Sequence, residues 1–206
     1  LDEARDNASD SAVYTVVVPA GTYTLSSTLS IYSNTTLDMS AGVILNSAPS
    51  NLSMLMLGSS EDEHAYNRSA AVAGYGGYKN ITVKGGSFIA DPANTYTQMQ
   101  LAHAANVTLQ GVTVAGGTTQ HMVEVVAIDG LMIDGCTFRD MAPTTEVSTH
   151  EALQLDLAVH DSIFGFVYQD GTMLKNVTVQ NCTFSNVPRG IGSHSLLLNA
   201  YNENIK

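Results

Sequence analysis

The sequence predicts an all-β chain wound as a right-handed parallel β-helix, a solenoid of short strands, with an N-terminal helical remnant. Two observations carry this. Four segments align without gaps: Asn80–Phe88 (Asn-Ile-Thr-Val-Lys-Gly-Gly-Ser-Phe), Asn106–Val114, Gly130–Phe138 and Asn176–Phe184. Each reads as a short strand, a Gly or Asn bend and a second short strand, and self-similarity at a fixed period is the mark of a repeat architecture. Apolar residues also alternate with polar ones in short runs, the period of strands. Leucine-rich repeats would show Leu-x-x-Leu-x-Leu with a helix per unit. A β-sandwich would lack the self-similarity.

Taken in order, residues 1–9 favour helix. Tyr14–Val18 and Gly21–Leu25 are strands, with Pro19 and Gly21 turning the chain between them. Leu29, Ile31, Leu37, Met39, Val43 and Leu45 continue as alternating strands. The four aligned segments start 26, 24 and 46 residues apart, and the segment at Asn34 precedes Asn80 by 46. The two long gaps are read as each hiding one further coil, one around Met54–Leu57 and one at Ala152–Leu157. Residues 1–206 form a single β-helix domain. The helix at its start, and the Asn202–Lys206 stretch that reads like another coil, lead us to expect a larger β-helix. A second chain or further sequence would complete it, since an open coil exposes core and strand edges.

Composition bounds the partners. The chain is 44% hydrophobic and 13% charged, a globular profile, and carries a formal net charge of −11 from 19 acidic and eight Lys and Arg residues. That charge opposes nucleic acid, anionic membranes and acidic polysaccharides. An oligosaccharide without charge is the expected substrate. No apolar run is long enough for membrane insertion as a spanning helix. Two cysteines, Cys136 and Cys182, sit at the same repeat position; with a hidden coil between them they would lie ~9–10 Å apart, too far for a disulfide. Eight Asn-x-Ser/Thr sequons occur, and the seven from Asn34 onward we read as the repeat itself in preference to glycosylation sites.

The candidate site is His150–Asp161. Leu153, Leu155 and Leu157 alternate with Gln154 and Asp156, so an amide and a carboxylate share the outer face of a strand. Aligning inward positions stacks Val123 and Val125 on Leu153 and Leu155, and these on Ile191 and Ser193. Outward columns follow: Gln100, Glu124, Gln154 and Gly192 in one; Ala102, Val126, Asp156 and His194 in another. Glu151 then falls between His121 and Arg189, where an inter-coil salt bridge is the default. Asp156 should lie in a groove walled by residues 157–174, with His194 in the next coil. His103 and His160 are read as surface residues, and Glu61–His64 as a solvated acidic loop in preference to a cation site. Tyr75, Tyr78, Tyr96, Phe164, Phe166 and Tyr168 are loop aromatics that could pack or stack on sugars.

Val16-x-Val18-Pro19-x-Gly21-x-Tyr23-x-Leu25, Ile31-x-Ser33-x-Thr35-x-Leu37 and the Asn-Val-Thr-Val coils resemble the pectate-lyase-like β-helix superfamily. The segments His121–Val125, Glu151–Asp156 and Pro188–His194 resemble secreted β-helix proteins of gut bacteria, including the lacto-N-biosidase family of glycoside hydrolases. That resemblance implies a secreted or cell-surface bacterial protein and a retaining glycoside hydrolase with two aspartates. One is Asp156 on the strand. The other is Asp161, with Asp170 as its rival. Glu124, Gln154, His194, Arg189, Glu151 and His121 would contact substrate, and no cofactor or metal is expected. A non-catalytic glycan-binding module is the alternative function. A polyuronate lyase ranks third, because basic residues near the face are sparse and the net charge is wrong.

Overall fold

The computed structural model describes residues 1–49, 53–58, 72–117, 121–142, 150–159, 167–193 and 201–206. Among these residues a short helix, α1 (Asp2–Asn7), leads into fifteen strands. They are β1 (Tyr14–Val17), β2 (Gly21–Leu25), β3 (Leu29–Ile31), β4 (Thr35–Ser47), β5 (Leu55–Leu57), β6 (Tyr78–Ala90), β7 (Met99–Gln110) and β8 (Thr113–Gly116). Then come β9 (Val123–Asp134), β10 (Thr137–Arg139), β11 (Glu151–Asp156), β12 (Lys175–Gln180), β13 (Thr183–Ser185), β14 (Arg189–Gly192) and β15 (Glu203–Ile205). Every pairing between these strands is parallel, and strands meet partners one coil away, so the chain is a parallel β-helix.

Three walls result. The first stacks β1, the start of β4, the start of β6, the later half of β7, the later half of β9, then β12 and β15. The second stacks β2, the end of β4, the end of β6, β8, β10 and β13. The third, which carries the candidate site, stacks β3, β5, the start of β7, the start of β9, β11 and β14. Inward residues of all three walls form one core, including Leu37, Phe88, Leu109, Val125, Phe138 and Leu155. Phe138 and Phe184 stack face to face on successive coils, centroids 4.9 Å apart.

The aligned repeats are the register itself. Thr82, Thr108, Met132 and Thr178 each stand third in their segment, and each pairs with the next. This corrects the coil count. Thr36 of β4 pairs directly with Thr82 of β6, and Val177 of β12 with Leu131 of β9, so neither 46-residue gap hides a coil on that wall. The extra length lies in connections: residues 48–77, which contain β5, and residues 140–150 and 157–174, which flank β11. A solenoid absorbs such insertions at a corner without changing the stack. Cys136 and Cys182 therefore precede paired residues, Thr137 and Thr183, one coil apart and not two. Both are nonetheless free thiols. Burial pushes the Cys136 thiol up to about 11.

Asn residues turn the corner before the first wall. Asn34, Asn80, Asn106, Asn176 and Asn204 hold φ between 52° and 59°, the left-handed region that Asn tolerates better than other non-glycine residues. Their amides bond up the stack: Asn80 Nδ2 donates to Asn34 Oδ1 (2.8 Å), Asn106 to Asn80 (3.1 Å) and Asn204 to Asn176 (2.7 Å). Where the repeat has Gly130, Asn176 donates to Asp129 instead (2.7 Å). Asn181 likewise donates to Asp134 (2.8 Å). Of the seven sequons from Asn34 onward, five amides are thus engaged in structure, as the repeat reading expects; Asn51 and Asn67 lie outside the described residues.

Candidate functional site

On the third wall the strand period sets which groups face outward. Val123 and Val125 of β9 and Leu153 and Leu155 of β11 face the core. Register pairs Gln100 with Glu124, Glu124 with Gln154, and Gln154 with Gly192, the column expected from alternation. Ala102, Val126 and Asp156 pair in the second column. His194, its expected next member, lies outside the described residues, as do Asp161, His160 and Glu61–His64.

Glu151 sits where the columns put it. Its Oε1 accepts from Arg189 Nη1 at 3.2 Å, and its Oε2 lies 3.3 Å from His121 Nδ1. The Glu151 side chain is 4% exposed and that of Arg189 50%, so one charge is buried and the other reaches solvent. A buried carboxylate needs such a partner. Gly192 makes room for it: a Cβ there would stand 2.4 Å from Glu151 Cγ and 2.7 Å from Gln154 Oε1.

Asp156 accepts a hydrogen bond from Gln154 Nε2 at 3.0 Å. It faces outward, as expected, but not into an open groove: its exposure is 0% and that of Glu124 is 2%. Ala158 and Val167, from the connection after β11, pack with Ala102, Val126 and Ala127 as a second apolar cluster outside the solenoid core. These two residues of the 157–174 connection cover the column, where an open groove was expected.

Other expectations change. Asp170 is a loop tie: its Oδ2 accepts from the Gly74 N–H (2.7 Å) and its Oδ1 from the Thr172 N–H (2.9 Å). Burial raises its carboxyl, but those two bonds prevail and hold it below the ordinary carboxylate range. His103, read as a surface residue, is buried at a corner of β7 with φ 51°. Tyr75 donates its hydroxyl to the Met173 carbonyl (2.9 Å) and Tyr78 packs edge-on to Tyr32, so both serve loop packing. Tyr96 is 48% exposed. Sequence reasoning missed Thr97, whose hydroxyl donates to Glu124 Oε2 at 3.5 Å, and gave no role to His150, which is buried beside β11. A lone Thr ahead of a strand carries no sequence signal. Among the described residues, no group of three His, Cys, Asp or Glu side chains is placed to hold a metal ion. Among the described residues, no helix is long and apolar enough to cross a membrane.

Fold and site together define a pectate-lyase-like parallel β-helix with a covered polar face on one wall. The chain belongs to the rhamnogalacturonase A/epimerase, pectate lyase-like family, whose model matches residues 3–195. Among curated proteins no match is found. Two solved structures share the fold. One is described as PfbA, a surface adhesin of Streptococcus pneumoniae: TM-score 0.70, 19% identity, covering 94% of this chain and 48% of that one. The other, described as the Streptococcus pneumoniae surface protein and adhesin PfbA, has TM-score 0.71 and 19% identity, covering 99% and 53%. The chain thus spans about half the length of these structures.

Proposed function

We propose that this protein is a secreted or cell-surface bacterial glycoside hydrolase acting on a neutral oligosaccharide, of the lacto-N-biosidase kind that releases a disaccharide. The observation that carries this reading is the set of three carboxylates, Glu124, Glu151 and Asp156, on two neighbouring strands of one outer wall, all buried. A purely structural wall does not need them: replacing buried charge by apolar groups is often neutral or stabilising. Family membership points toward carbohydrate, and the net charge of −11 points away from polyanions.

In this reading Asp156, fixed on a strand, attacks the anomeric carbon as the leaving oxygen takes a proton from a second carboxyl. Water then hydrolyses the glycosyl ester, with that second group acting as base. Asp161, in the segment after Asp156, is the proposed second carboxyl. Glu124 is the described alternative: its Cα stands diagonally from that of Asp156, ~7–8 Å away by strand geometry. Asp170 is withdrawn, because both its oxygens hold loop amides. Glu151, Arg189, His121, Gln154 and His194 would bind and orient the sugar. Because Asp156 is covered, the face must open to admit substrate.

The second reading is a surface module that binds glycan without cleaving it. The adhesin descriptions of the two structures sharing the fold favour it. Incubation with a panel of neutral glycans, with detection of released sugar, separates the two. The hydrolase reading expects a disaccharide from the wild type and none from Asp156→Asn, which still binds. Binding with no product from either protein would sink the hydrolase reading and leave the module.

A further inference from the structure

His103 makes two hydrogen bonds that one neutral imidazole cannot make together. Its Nδ1 lies 2.8 Å from the Gly74 carbonyl oxygen, and its Nε2 lies 2.7 Å from the Tyr168 carbonyl oxygen. A carbonyl oxygen only accepts, so both ring nitrogens must donate, and only the imidazolium has two N–H groups. In the neutral ring, whichever nitrogen lost its proton would turn a lone pair toward a carbonyl lone pair at less than 3 Å.

These carbonyls belong to the two connections that meet over the outer corner of β7. Gly74 lies in the segment before β6, and Tyr168 in the connection between β11 and β12. Three further bonds join or brace the same segments: the Gly74 and Thr172 amides on Asp170, and the Tyr75 hydroxyl on Met173. The same connection lays Ala158 and Val167 over Ala102, Val126 and Ala127, in the column that Asp156 completes. Among the described residues, the titratable groups beside His103 are Asp170, whose carboxyl His103 helps hold down, and Tyr168, with its ring 6.3 Å away. Its neighbours on β7 and β9, Ala102, Ala104 and Ala127, do not titrate.

We infer that His103 is a pH-sensitive latch: as imidazolium it clamps the 72–77 and 167–174 segments over the third wall, and on losing a proton it releases one of them. The sign follows from the bonds. The two-bond clamp exists only for the charged ring, so it is complete at acidic pH and is lost as pH rises through the titration of the ring. The consequence for Asp156 rests on the hydrolase reading; the latch does not.

The test uses the whole chain and no glycan. Imidazole nitrogen shifts of His103 and exchange protection of the Gly74 and Thr172 amides are followed by NMR from about pH 5 to pH 8, the range in which His switches. Both ring nitrogens should carry protons at the acidic end. Protection of the two amides, corrected for intrinsic exchange, should fall about tenfold as the ring titrates, the scale of one charge-assisted hydrogen bond. Asp170→Asn should move that transition to lower pH, and His103→Gln should leave protection low and independent of pH. A ring that stays neutral throughout, or amide protection that does not follow its titration, overturns the latch in the wild type whatever the variants do.

Discussion

The Asn ladder makes a quantitative demand at Asn80. This residue turns a corner at φ 55° and bonds in both directions, donating to Asn34 at 2.8 Å and accepting from Asn106 at 3.1 Å. Asn80→Gly keeps the left-handed corner but loses both bonds, at ~0.5–1.5 kcal/mol each. It adds ~0.4–1 kcal/mol through the freer unfolded chain, so destabilisation of ~2–3 kcal/mol is expected. Asn80→Ala loses the same two bonds and must also hold an L side chain at positive φ, at ~1–2 kcal/mol. The steric cost of Ala outweighs the entropic cost of Gly, and Asn80→Ala should be the worse variant by about 1 kcal/mol. Urea unfolding of both variants beside the wild type, read as midpoint shifts at constant slope, gives the comparison. If Asn80→Ala is as stable as Asn80→Gly, the corner is not strained as described. If both match the wild type, the ladder contributes nothing.

Further expectations concern other parts of the chain. Phe138→Ala, which removes the buried ring of the stacked pair, should cost ~3–5 kcal/mol in the same assay, and a loss below ~1 kcal/mol would mean the core closes around it. Gly192→Ala should cost ~1–3 kcal/mol by overpacking against Glu151 and Gln154, and Glu151→Ala in the same chain should recover part of that loss; additive losses would contradict the fit. Iodoacetamide should label the partly exposed Cys182 well before Cys136, whose thiol is held up at about 11, and intact mass without reductant should show no disulfide. Asp170, held below the ordinary carboxylate range, stabilises the loop tie above that range, and the contribution is lost as pH falls through its folded value. Asp170→Asn should therefore weaken Gly74 protection at neutral pH and remove its acid dependence. Ile191, Tyr201 and Ile205 expose apolar surface beside Leu155 and Leu157, and we propose that a further β-helical coil covers them. Sedimentation of the 206-residue chain should then show self-association, and a clean monomer would count against it.

The alternation of the sequence was enough to determine each wall locally. Period 2 decides which side chains face the core, and stacking in register then dictates the columns, so Glu151 could be set between His121 and Arg189 from the sequence alone. The same logic gave Gln100, Glu124, Gln154 and Gly192 as one column. The gapless repeat gave the parallel stack, because each coil must bury its apolar face on the next. What the sequence could not determine was how much chain each coil consumes. A 46-residue gap is two regular coils or one coil with long connections, and a loop leaves no periodic trace; only the pairing of Val177 with Leu131 decided it. Burial of the outer face was hidden for the same reason. Asp156 looks exposed on a strand read alone, and it is covered because Ala158 and Val167 return across Ala102 and Val126. His103 was missed because its partners are backbone carbonyls 29 and 65 residues away in sequence. Backbone atoms carry no residue signature, so a contact of that kind exists only once the tertiary structure brings the segments together.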